Sequence, residues 1–163
     1  MAKRNKTTAE KGKFKEEIHT ALFKSENIRE LLLGDTTGMS ASKIRAEFKN
    51  HVMSHLFIDD TIEETNSYIF YDVVFPYMQP NIKTCRVVMY IMCHRDILDD
   101  YRKEGYFGNR ADILSQMVED ALINDDSKVC NFGIGDLVLD SVEIYNSIKF
   151  YGCIMTFNVP TFR

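Results

Sequence analysis

His94, Asp96, Asp99 and Asp100 form the densest group of side chains able to hold a metal or move a proton. Asp96 and Asp100 stand four apart in a charged stretch, which reads as a solvated face. His51 and His55 are also four apart, the spacing of two zinc ligands on one helical turn. The Glu that HExxH places beside the first His is missing, because position 52 is Val. His19 falls in an amphipathic stretch without ligand-type neighbours. No GxSxG elbow is present, and no Ser or Cys sits among residues that would activate it. Gly133-Ile134-Gly135 is a lone GxG that leads into an expected strand rather than a helix, so it makes no phosphate cradle. Asp140 and Glu143 offer an acidic pair to a metal-dependent nuclease, yet Tyr145 stands where the following Lys belongs. Tyr68, Phe70 and Tyr71 lack the basic and glycine neighbours of an RNA-binding strand. Cys85, Cys93, Cys130 and Cys153 include no CxxC or CxxH and read as reduced thiols packed as small hydrophobes in a cytosolic product. The expectation is therefore no enzyme, no metal and no cofactor.

These residues must be positioned by the elements around them. Phe14, Ile18, Leu22 and Phe23, then Ile28, Leu31 and Leu32, recur at helical spacing until Gly34 stops the run. A second helix is expected over residues 41–54, with Ile44, Phe48 and Val52 on one face and Ser40 or Ser42 as cap. Residues 57–66 read as an acidic connector. SYIFYDVVF (67–75) is a strand stopped by Pro76, and residues 83–93 are the clearest strand of the chain. Residues 94–109 form a charged excursion. Asn109 then caps a helix with Ile113, Leu114, Met117, Val118 and Leu122 in one stripe, and two strands follow over 134–145 and 148–159. The fold class expected is α+β, with a mainly antiparallel four-stranded sheet in the order α-α-β-β-α-β-β.

The chain has 163 residues, 45 % hydrophobic and 27 % charged, with 3 Pro and 8 Gly, which fits one globular domain and excludes a low-complexity chain. No apolar run nears the ~20 residues of a membrane helix. Net charge is −4. Six basic residues against Glu10 give the first 15 residues +5, which leaves −9 for the rest. An acidic body opposes sequence-independent nucleic-acid binding. Residues 1–13 are expected to be a flexible basic segment and 14–163 a single domain, with no signal peptide or membrane partner.

Alternation places Ile69, Tyr71, Val73 and Phe75 on one face of the first strand and Cys85, Val87, Met89, Ile91 and Cys93 on one face of the second. No strand shows a clean polar side. Either the helices cover both faces, or another subunit covers one of them.

The stretches LFIDDTIEETNSYIFYDVVFP (56–76), TCRVVMYIMCH (84–94), GNRADILSQMVEDALI (108–123), IGDLVLDSVEIY (134–145) and KFYGCIMTFNVP (149–160) together resemble the tail terminator and head–tail joining proteins of long-tailed bacteriophages. The resemblance spans about residues 44–160 and rests on element order and soft local patterns. It implies a non-catalytic virion protein, assembled in the host cytoplasm, that closes into a ring, typically a hexamer. Such a ring ends tail-tube polymerisation and docks the head connector while DNA passes through its channel. The partners implied are further copies of the chain, the tube protein and the neck proteins. Candidate subunit or tube contacts are Tyr77, Gln79 and Asn81 in the hairpin loop, and Arg95, Asp96, Asp99, Asp100, Tyr101, Arg102, Tyr106 and Phe107 in the excursion. Candidate acidic residues for a channel wall are Asp72, Asp136, Asp140 and Glu143. Within the same class, a tail-completion or head-closure adaptor remains open. From another class, an intracellular ligand-binding or regulatory domain would need a concave pocket with converging polar groups.

Overall fold

The computed structural model describes residues 7–56, 62, 64–80, 82–123 and 137–162, with backbone alone at 82 and 160–162. The chain opens with helices α1 (Thr7–Lys24) and α2 (Glu26–Leu33). The apolar stripe runs through both, but Ser25 breaks the helix between them. Its Oγ accepts from the Ile28 N–H at 3.3 Å and caps α2, the competing local bond that serine offers a backbone. Gly34 ends α2 at φ 70°, as its position after the leucines requires. Because α1 begins at Thr7, residues 7–13 are helical, and Glu10 and Lys11 among them pair with Lys83 and Asp72 of the sheet. Residues 1–6 lie outside the described residues.

Helix α3 (Ala41–His51) is capped by Ser40. It stops three residues short of the expected end, because Val52 turns extended and begins β1 (Val52–Met53). β1 pairs in parallel with β2 (Ser67–Met78), through Val52 opposite Ile69. The sheet therefore has five strands and is mixed, in the order β1-β2-β3-β5-β4, where four antiparallel strands were expected. β3 (Ile82–His94) and β5 (Phe150–Phe162) are its two central partners, and β4 (Val138–Asn146) is an outer strand. β2 passes through Pro76 because it is unpaired on its outer side there and its register shifts between Val74 and Tyr77. The loop after it is correspondingly shorter than the expected one. Helix α4 (Arg110–Leu122) opens with a full capping box between Asn109 and Asp112.

The inner faces read from alternation meet one core. Ile69, Tyr71, Val73, Val87, Met89, Ile91, Met155 and Phe157 pack against Ile18, Leu22, Ile28, Leu31, Phe48, Leu114 and Val118. The four described helices all contribute to this single layer, so they do not divide between the two faces. Cys85 and Cys93 are buried free thiols on the inner face, and burial pushes both up to about 11. Cys130 lies outside the described residues.

The start of α1 is tied to the sheet by charge. Glu10 pairs with Lys83, whose side chain is 6 % exposed and whose ammonium also lies 5.3 Å from the Phe75 ring centre. Removing one member of a buried pair strands the other, although Glu10 keeps part of its hydration. Glu10→Gln is expected to lower stability by about 1–2 kcal/mol in urea unfolding. An unchanged midpoint would show that α1 is not docked at this end.

Candidate assembly surfaces

Among the described residues no helix lies across the outer face of the sheet, although α3 reaches its rim through His51 and α1 through Lys11 and Lys15. Cross-strand register sets its rows: Tyr68–Met92–Gly152–Tyr145, Phe70–Tyr90–Ile154–Glu143, Asp72–Val88–Thr156–Ser141 and Val74–Arg86–Asn158–Val138. The first rows are apolar. Tyr68, Phe70, Met92 and Phe150 form a small second core against Met53, Ile62, Tyr90 and Tyr145. His51 ends this cluster: it stacks on Tyr68 and its Nδ1 lies 2.9 Å from the Ser67 carbonyl. It is a packed histidine, and with α3 ending there His55 is not on the same helical face. The last rows are polar, held by Arg86 Nε donating to Asn158 Oδ1 at 3.2 Å. Between them Val88, Tyr90, Ile154 and Thr156 remain half-buried without a covering layer.

The excursion over residues 94–109 folds back onto the domain. Arg95 donates to the Ser147 carbonyl at 3.0 Å and to Asn146 in the β4–β5 turn. The Tyr106 hydroxyl accepts from Asn27 at 3.1 Å and donates to Asp120 at 3.3 Å. Lys103 pairs with Glu30 at 2.6 Å. Arg102 donates to the carbonyls of Tyr101 and Gly108 within its own loop. Tyr101 is partly buried beneath Arg110, whose guanidinium carbon lies 5.3 Å from the ring centre. Arg110 also donates to Ser67 Oγ at 2.8 Å and to the Leu31 carbonyl at 2.5 Å, so it joins α4, β2 and α2. Of the candidate contacts, Asp96, Asp99, Asp100 and Phe107 project outward, and Phe107 is 77 % exposed. Tyr77 and Met78 are exposed at the end of the β2–β3 hairpin, where the Tyr77 hydroxyl accepts from Gln79. Asn81 lies outside the described residues.

The acidic candidates separate. Asp72 faces Lys15 at 2.9 Å and Lys11 at 3.4 Å. Burial pushes its carboxyl up, but the Lys15 hydrogen bond, the Val73 N–H and both lysine charges outweigh this and hold it below the usual carboxylate range. Asp140 occupies the bulge between Leu139 and Ser141, and Glu143 lies opposite Ile154; both are exposed. Asp136 lies outside the described residues. His94 Nδ1 accepts from the Asp96 N–H at 3.1 Å, which uses this histidine as a local cap. Among the described residues no three His, Cys, Asp or Glu side chains converge as a metal site requires.

Two clefts open on the helical side. One, of about 800 Å³, lies between α2, the following turn and Tyr101, with Arg29, Arg110, Glu26, Glu30 and Asp35 in its lining. In it Arg29 Nε and the Tyr101 hydroxyl are buried without a hydrogen-bond partner among the described residues. The other, of about 790 Å³, lies beside α1 and β1 and includes Lys15, His19, Lys49 and His55. Burial, with Lys49 nearby, lowers the pKa of His19 below its ordinary 6.5. The unfolded chain then takes up this proton at a higher pH than the folded one. This contribution to stability is complete above pH 6.5 and is lost as pH falls through the folded value. His19→Gln is expected to flatten the stability–pH slope below that point; identical slopes in urea titrations would contradict it.

The model of the family described as YomW, a prophage-associated family, matches residues 16–159. No curated protein matches the chain. No described helix is long and apolar enough to cross a membrane.

Proposed function

The chain belongs to the YomW family, and from that premise we propose that it is a virion assembly subunit, a tail terminator that closes into a ring at the head-proximal end of the phage tail. In this reading six copies end tube polymerisation and join the tail to the head connector, with DNA passing through the centre. The observation that carries it is the outer sheet face, where Val88, Tyr90 and Ile154 stay half-buried while the core-forming faces of the described helices pack on the other side. A monomer seldom leaves such a strip uncovered. A ring is a head-to-tail assembly and needs a second, unlike patch. The hairpin end supplies one, since Tyr77 and Met78 are 51 % and 56 % exposed. Of the described acidic candidates, Asp140 and Glu143 keep exposed carboxylates, whereas Asp72 is paired with two lysines. The protein is non-catalytic in this role and resides in the virion neck after assembly in the host cytoplasm.

The direct test uses purified tails of the encoding phage and antibody-labelled chain in electron micrographs. Label at the head-proximal end alone is the expected result. Label on heads lacking tails would favour a head-closure adaptor instead, and no label on either would overturn the virion reading. A ligand-binding domain is the second reading, favoured by the two unpartnered polar atoms in the larger cleft. It requires that an Arg110→Ala chain lose a small-molecule-induced rise in melting temperature that the parent shows.

A further inference from the structure

The two edges of the sheet are treated differently. At the β2 edge β1 covers Ile69 and Phe70, and among the described residues the stretch beyond them is guarded. The Asp72 carboxylate accepts the Val73 N–H at 2.8 Å, Lys11 and Lys15 crowd the same point, and Pro76 and a register shift interrupt the ladder. These are standard devices against strand addition. β4, at the opposite edge, has neither a basic nor a proline guard, although it too carries a bulge, at Asp140. Its nine residues, VLDSVEIYN, include no Lys, Arg or Pro, and nothing pairs with its outer side among the described residues. Val142 and Ile144 point to the helical side yet are 56 % and 76 % exposed, beyond the reach of α4. Asp140 and Glu143 stand exposed on the same strand with no ion pair or side-chain hydrogen bond among the described residues.

From this asymmetry we propose that the β4 edge receives an extended strand from a different protein, one that sets Lys or Arg against Asp140 and Glu143 and apolar side chains over Val142 and Ile144. Backbone pairing along residues 141–146, beyond the bulge at Asp140, would supply affinity, and the two kinds of side chain would supply choice of partner. A second copy of β4 is the wrong occupant. Antiparallel self-pairing would gather four carboxylates around the two-fold axis, and like charges across paired strands are destabilising. The inference rests on the terminator reading only for who supplies the strand, a tube or neck component.

The test uses the full chain, labelled with nitrogen-15, and a blocked nine-residue peptide alternating Lys and Val, with a Glu-for-Lys peptide as control. The Lys peptide is expected to slow hydrogen exchange at the outward amides of β4, and the Glu peptide to leave them unchanged. The Asp140→Lys, Glu143→Lys double variant should bind the Lys peptide at least about tenfold more weakly and gain affinity for the Glu peptide. Both positions are exposed, and an unchanged near-ultraviolet spectrum confirms that the variant folds. Unaltered β4 exchange, equal binding of the two peptides, or full binding by the double variant would overturn the proposal. Protection of β4 that grows with chain concentration alone would assign the edge to a second copy and also overturn it. A chain that stays monomeric yet binds the Lys peptide at β4 would refute the ring and leave the edge assignment intact.

Discussion

Gly152→Ala is expected to remove more than about 4 kcal/mol of stability, a large part of what a domain of this size holds. Gly152 lies in β5 between Met92 of β3 and Tyr145 of β4. A methyl group there would sit 1.6 Å from the Ile91 carbonyl oxygen, 2.7 Å from its carbon and 3.3 Å from the Met92 Cα. All three are backbone atoms of the neighbouring strand, so no rotamer change relieves the clash. β3 and β5 would have to part where the ladder is central to the sheet. Conformational freedom is not at issue, since Gly152 lacks the positive φ of Gly34, Gly38, Gly105 and Gly108. Glycine is required here by close approach. Urea unfolding should show a collapsed midpoint or no cooperative transition at all, while a loss under about 1 kcal/mol would mean that β3 and β5 are spaced differently.

Met89→Asp should be nearly as damaging. Met89 is 0 % exposed, flanked in register by Tyr71 and Met155 on the helical side of β3. A carboxylate there loses its water and gains no cation among the core residues, at a cost of several kcal/mol. Met89→Leu, which keeps volume and polarity, is expected to cost less than about 1.5 kcal/mol. The pair separates charge from packing. A folded Met89→Asp chain, with a near-ultraviolet spectrum like the parent's, would place this face of β3 outside the core.

Much of this core was legible in the sequence because alternation and helical spacing act locally. Cys85 through Cys93 on β3 and Ile69 through Val73 on β2 point inward as their spacing requires. Asn109, Ser40 and Gly34 mark helix ends through bonds they make within a few residues. What escaped depends on distant partners. Val52 and Met53 continue the apolar spacing of α3, and only the edge of β2 converts them to a strand. The same holds for Glu10, whose partner Lys83 is far along the chain and turns an apparently loose basic segment into a docked helix. The excursion after β3 looks solvated by composition, yet Arg95, Lys103 and Tyr106 are spent on α2, α4 and the β4–β5 turn. Pairing across such distances leaves no local trace. Of the candidate contact residues, Tyr77 and Phe107 are exposed, while Arg95, Tyr101 and Tyr106 make bonds or ring contacts within the domain.

The sheet face that no described helix covers is the feature from which the ring reading draws most, and native mass tests it directly. Light scattering over a concentration series, with negative-stain images of the same fractions, is expected to show annular particles of about six times 18.9 kDa. An Ile154→Lys chain should keep its fold and lose that species. A parent chain that remains at 18.9 kDa at every concentration, with no rings, would contradict the claim that this face is an interface between copies.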